Sequence, residues 1–326
     1  MKNNVDTTGI FNFLDDEIQS SLYRNGKLIT RRDSDGSDAG IEGVVLRKVE
    51  KKISNARLLE HSELRRTCEQ NGFELMPSPL SPADIDFFDN RQVTREYYPD
   101  CARLVSEITG TQAWAFDHNI RSASGKTKKT KIKNGQQVQG PAHVVHGDYT
   151  LRSAPERLQQ LAREPGNNDT LRTFLPQGAT LLDHERVENL INGRKRFSII
   201  NVWRNIDTQP VYTHPIALCD GKTVKPEDLA VFEIHYQDRI GENYFSKNAE
   251  RHQFYFYPSL TRDEVLLIKQ WDSEGMLAKS GGSRGDLVSS ESPCTFSFHS
   301  AFEDPATPED APDRWSVETR CIALYE

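Results

Sequence analysis

The segment His143-Val-Val-His146-Gly-Asp148-Tyr-Thr150 sets a histidine and a carboxylate two residues apart, and Phe296-Ser-Phe-His299 adds a histidine far downstream. Two histidines and one carboxylate are the ligands of a facial triad, which holds ferrous iron and leaves positions open for a cosubstrate and dioxygen. Side chains alternate along a strand, so His146 and Asp148 share one face while His143 takes the other. One strand can therefore present two ligands without a turn. The third must come from a different element. His299 is the candidate, and His252, which opens the aromatic run Phe254-Tyr-Phe-Tyr257, is its rival.

The elements that must position these residues are strands. Phe197–Trp203, Pro215–Cys219, Val231–Tyr236, His252–Tyr257, Glu264–Trp271, Cys294–Phe302 and Trp315–Tyr325 are rich in β-branched and aromatic residues and are separated by turn residues. The series predicts a mainly β fold with flanking helices. A double-stranded β-helix (jelly-roll or cupin-like) brings an early H-x-D strand beside a late histidine strand. Helical spacing runs over Tyr97–Thr109, and a helix over Ser153–Arg163 is expected to be capped by Ser153 with Glu156 in the capping-box position. Ser81 is expected to cap a short helix through Pro82–Phe88. Residues 1–84 read as an N-terminal extension, partly flexible over Arg31–Asp38 and packing on the barrel, and residues 85–326 as the β-helix domain. The Lys-rich insert 124–137 reads either as a solvated, mobile loop or as a lid over the H-x-D strand.

Composition narrows the function classes. The 326 residues carry a net charge of −7, 36% of them are hydrophobic, and the mean hydropathy is −0.67. No apolar run reaches the roughly 18 residues of a membrane helix, and the acidic start lacks a signal core. The five cysteines are scattered, without a C-x-x-C pair, as reduced thiols in a cytoplasmic protein would be. The acidic balance gives no reason to expect nucleic acid. A small-molecule substrate and a possible homodimer remain.

Further residues bear on the chemistry. Thr295, Ser297, His299 and Ala301 share a small, polar face opposite Phe296 and Phe298, which leaves room beside a metal; a hydrogen-bonded structural histidine is the other reading. Arg314, Ser316, Glu318 and Arg320 share a face of the last strand, where two guanidinium forks suit capture of a carboxylate. A solvated face with a Glu318–Arg320 pair is the alternative. Asn201 and Trp203 share a face and could touch substrate, although Trp203 suits a core equally. His118 lines the pocket or orients the barrel end through a hydrogen bond.

These segments together resemble the CmcJ/NvfI-like fungal oxygenases of secondary metabolism. The matching stretches are Phe116–Arg121, Val145–Thr150, Ile200–Arg204, Pro215–Asp220, Arg239–Glu242, Asp263–Ser273 and His299–Pro305 through Arg320, in family order over roughly residues 85–326. The resemblance implies a non-haem Fe(II)/2-oxoglutarate-dependent dioxygenase. It would oxidise an apolar small molecule, terpenoid or polyketide, by hydroxylation, desaturation or endoperoxidation through a ferryl species. Carried over by position, His146, Asp148 and His299 would ligate iron, and Arg314 or Arg320 would hold the distal carboxylate of 2-oxoglutarate. His118, Asn201, Trp203 and Thr150 would border the substrate. Pro312-Asp-Arg314-Trp-Ser316 departs from the family's Pro-Pro-Arg-Glu-Ser, Asn205 replaces a proline and Ser300 a threonine. The alternatives are a catalytically silent β-barrel binding or auxiliary protein, and a zinc hydrolase, for which no base sits beside the ligands.

Overall fold

The computed structural model describes residues 5–32, 38–133, 135–167, 169–237, 239–289 and 291–325. Most of the expected flexible stretch, residues 33–37, lies outside the described residues. Among the described residues fifteen strands, numbered in chain order, form two sheets. The smaller runs β5 (Phe73–Pro77), β13 (Glu264–Asp272), β8 (Phe197–Asn205), β15 (Ser316–Leu324), β6 (Gln112–Arg121), all antiparallel. The larger begins β1 (Thr7–Leu14), β4 (Leu46–Asn55), β12 (Phe254–Phe256), β9 (Ile216–Cys219), β14 (His299–Ala301) and β7 (His146–Gly147). It continues through β11 (Ile240–Ser246), β10 (Leu229–His235), β2 (Ile29–Arg32) and β3 (Asp38–Glu42). The mainly β, jelly-roll expectation is met.

Strand parity decides what each sheet faces. All nine residues of β8 are buried, because both of its faces are covered. Phe197 and Ile199 point into a core shared with the larger sheet, among Phe11, Phe254, Phe296 and Phe298. Ile200 and Val202 point outward against Cys101, Leu104 and Val105 of helix α1 (Tyr98–Thr109). Burying each such large apolar side chain contributes roughly 1.5–3 kcal/mol. Helix α1 stops at Gly110, whose φ of 67° is the left-handed closure that glycine adopts without strain.

Strands from the first 84 residues occupy sheet edges: β1 with β4 at one end of the larger sheet, β2 with β3 at the other, and β5 at the edge of the smaller. Three local expectations are corrected. Residues 82–88 form turns, and helical structure starts at Asn90 instead. The His146 strand shrinks to two residues and the Cys294–Phe302 strand to three, with extended chain around them. The helix at Ser153–Leu161 is capped by Thr150, whose Oγ1 accepts from the Ser153 amide at 3.0 Å.

The insert also differs from a free loop. Ala123–Thr127 forms a short helix closed by Ser122, and Gln139 bonds back to β6 through the Ile120 carbonyl.

Candidate metal centre

The two-residue β7 lies between β11 and β14, and its His146 pairs directly with His299 of β14. Their rings sit 4.3 Å apart, centroid to centroid. Asp148 follows on the same face, and one donor atom from each of His146, Asp148 and His299 lies within 4.8 Å of the others. Between His146 and Asp148 space is tight: a Cβ at Gly147 would come within 3.1 Å of the Phe296 ring.

The surrounding polar groups leave the metal-facing atoms open. His146 Nδ1 is 2.8 Å from the Val144 carbonyl, so the proton sits there and Nε2 keeps its lone pair. Asp148 Oδ2 accepts from Asn201 Nδ2 at 2.9 Å and from Arg320 Nε at 3.3 Å. Its Oδ1 points instead at His146 Nε2, 3.6 Å away. Gln270 accepts the Asp148 amide at 3.0 Å and lies 3.5 Å from His299 Nδ1. Gln270 shares the inward face of Leu266 and Ile268, and a bulge between Lys269 and Trp271 turns Trp271 inward beside it.

Electrostatics follows burial and neighbours. Burial lowers His146 to about 3, aided by His299, so its imidazole is neutral and ready to ligate. Burial alone would raise Asp148, but Arg320, His299 and His146 outweigh it and hold the carboxyl well below its usual range. Arg320 stays charged because Asp148 and Asp117, the latter at 2.9 Å, offset its own burial. The expected alternative, a Glu318–Arg320 pair, is therefore replaced by two other partners.

Arg314 is the contrasting case. It is 4% exposed, lies over the Trp203 ring at 5.7 Å, donates to the His214 carbonyl and leaves Nε without a partner. Burial and then the charge of Arg121 bring it down to about 9. No carboxylate pairs with it among the described residues. Glu318 lies 3.9 Å from both His299 Nε2 and Arg121 Nε and accepts from Asn201.

A cavity of about 780 Å³ opens onto His146, Asp148 and Arg320 and is walled in part by Lys126, Lys129 and residues 136–142. Residues of the insert thus form part of the cavity wall. None of the four expected pocket residues lines this cavity, although Asn201 touches Asp148 of the triad. His118 turns to the Tyr98 hydroxyl at 2.9 Å and borders a separate, smaller cleft. A bulge near Phe116 carries Asp117, rather than His118, into the cavity wall. Thr150 is spent on capping and on Glu242, and Trp203 belongs to an inner core with Tyr255 and Leu266. His143 faces the cavity and packs edge-on against His214. His252 is tied to Asp228 at 3.0 Å among phenylalanines, away from the triad.

Sequence reasoning missed Gln270, Asp117 and Arg121. The signal for Gln270 was a polar side chain inside the apolar run Val265–Trp271.

Comparison with known proteins follows the same line. The family model described as "Oxidoreductase/YMDC permease-like domain" matches residues 24–324. An uncharacterized protein in the dcmA 3' region of Methylophilus leisingeri is 45% identical over 197 residues, covering 60% of this chain and 89% of that protein. The Fe(II)/2-oxoglutarate-dependent dioxygenase nvfI of Aspergillus novofumigatus is 30% identical over 259 residues, 78% of this chain and 76% of that one. The solved structure of the iron and alpha-ketoglutarate-dependent endoperoxidase NvfI superposes with a TM-score of 0.72 at 21% identity, covering 98% of each chain. No described helix is long and apolar enough to cross a membrane.

Proposed function

The chain belongs to the oxidoreductase/YMDC permease-like family and to the same family as the fungal Fe(II)/2-oxoglutarate-dependent dioxygenases, and from that premise we propose that His146, Asp148 and His299 hold the iron of such an enzyme. The observation that carries the assignment is the division of labour at Asp148. One oxygen is tied down by Asn201 and Arg320, and the other is turned toward an imidazole nitrogen whose ring partner is already satisfied. A nitrogen and oxygen donor set of this kind suits ferrous iron.

The charge balance suits the cosubstrate as well. Arg121, Arg314 and Arg320 stand against Asp117, Asp148 and Glu318, so a divalent cation and the 2-oxoglutarate dianion enter a neutral site without surplus charge. Of the two arginines, Arg314 holds the distal carboxylate, because its buried guanidinium has an orphaned Nε and no anion of its own. Arg320 positions Asp148 instead.

With 2-oxoglutarate and dioxygen, iron supplies the oxidising power for attack on an unactivated C–H bond. The chain's residues supply the rest. The Val144 carbonyl keeps the His146 proton away from the metal face. Asn201 and Gln270 fix the carboxylate strand, and the insert walls the cavity from solvent. Residues 85–326 would carry this chemistry, and residues 1–84 would extend the sheet edges. A terpenoid or polyketide substrate, a cytoplasmic location and a homodimer complete the reading. The five cysteines, all reduced and buried, support the location.

Anaerobic iron(II) with 2-oxoglutarate should give a weak visible charge-transfer band, and His299→Ala should abolish it. A wild-type protein without the band is a silent binding protein, and the oxygenase reading fails.

A further inference from the structure

The cavity that reaches the triad is unevenly charged. Its lining holds seven arginines and lysines against five carboxylates, although the chain as a whole is at −7. Those carboxylates are already matched. Asp117 and Asp148 share Arg320, Asp169 pairs with Arg157 at 2.7 Å, and Glu156 and Glu242 meet Arg24. Lys126, Lys129 and Arg239 line the same cavity and have no carboxylate partner among the described residues.

Their placement is specific. Lys126 and Lys129 follow β6 of the smaller sheet, and the Lys126 stem lies across Gly140 on the cavity wall. Arg239 lies in the turn between β10 and β11 of the larger sheet, its guanidinium 4.3 Å from the centre of the Tyr236 ring. The two sheets thus bring cations to one opening.

Between that opening and the metal face runs an apolar wall. Phe245 sits beside His146, with ring centres 6.5 Å apart, and stacks on Phe232 at 4.3 Å. Phe232, Ile234 and Tyr236 alternate along one face toward the turn. Four residues of strand at about 3.3 Å each put roughly 13 Å between the first and last of these side chains.

We propose that the substrate is an amphipathic acid. Its apolar body lies on Phe245, Phe232 and Ile234, and a carboxylate or phosphate is held by Lys126, Lys129 and Arg239, well away from the carbon presented to the metal. This rests on the oxygenase reading for the reacting end only. An anion facing these three cations gains charge-assisted bonds that an alcohol cannot make.

The test uses the full-length protein without metal and four probes of one chain length: decanoate, decyl phosphate, decanol and decylamine, followed by calorimetry. Decanoate or decyl phosphate should bind at least tenfold more tightly than decanol, and decylamine most weakly. Whichever anion binds better names the headgroup. The K126A/K129A/R239A variant should lose at least tenfold for that anion while decanol binding holds. Anionic probes no better than decanol, or unchanged in the variant, overturn the proposal. The iron(II)–2-oxoglutarate band is recorded on the same wild-type preparation. Its absence refutes the oxygenase reading separately, while the binding arms still decide the anion site.

Discussion

Replacing Arg320 and Arg314, each by methionine, should have opposite consequences, although the two lie six residues apart, Arg320 on β15 and Arg314 just before it. Arg320 serves two carboxylates, Asp117 at 2.9 Å and Asp148 at 3.3 Å. Removing one partner of a buried pair costs roughly 3–5 kcal/mol, because the other charge is left uncompensated. Against a total stability on the order of 5–15 kcal/mol, R320M should lose a large part of its folding free energy. Arg314 has no carboxylate partner, and methionine fills a similar volume over Trp203. The cost of a lost hydrogen bond to His214 is offset by relief of a buried, unpaired charge, so R314M should stay within about 1 kcal/mol of wild type. Urea unfolding followed by circular dichroism, at constant slope, measures both. Adding manganese(II) should restore part of the R320M loss, since a cation at Asp148 replaces the missing charge there while Asp117 stays bare. Conversely, R314M should bind manganese normally and lose 2-oxoglutarate. Equal losses in the two variants, or an R320M deficit that metal leaves untouched, would refute the assignment of roles.

Two other outcomes follow from the same contacts. Asn201→Ala removes the 2.9 Å bond to Asp148 Oδ2 and should weaken metal binding by about 10- to 100-fold in equilibrium dialysis, with a normal circular dichroism spectrum. Acid should destabilise the fold in a defined window. Burial lowers His118 to about 4, so the folded state keeps it neutral while the unfolded chain takes up a proton near 6.5. Stability is then full above about pH 6.5 and falls as the pH drops toward 4. His118→Gln should flatten that part of the stability–pH curve, and an unchanged slope would contradict it.

The grouping of His146, Asp148 and His299 was legible because alternation puts the first two on one face, and His299 has small neighbours and precedes the arginine-bearing last strand. Strand lengths were less so. Residues 294–298 have a strand's composition, but Ser297 bonds to Lys269 and Cys294 to Glu69 outside any regular ladder, and a sequence does not display such partners. One supporting residue was hidden by a bulge. Near Phe116 an inserted residue substitutes Asp117 for His118 in the cavity wall. A period-two reading fails wherever one extra residue enters. The roles of Arg314 and Arg320 looked alike in the sequence, since the carboxylates that separate them come from β6 and from the chain after β7.

The proposed centre draws its ligands and its supports from different sheets. His146 and His299 lie on strands of the larger sheet, with Asp148 directly after the first, whereas Asn201, Gln270, Glu318 and Arg320 come from the smaller. A metal held there would rivet the two halves of the sandwich in register, and any slip of one over the other would be felt as weakened ligation. The rim at the insert and at the β10–β11 turn carries no such duty. New substrates can therefore be accommodated there by changes that leave the alignment of the reacting atoms alone.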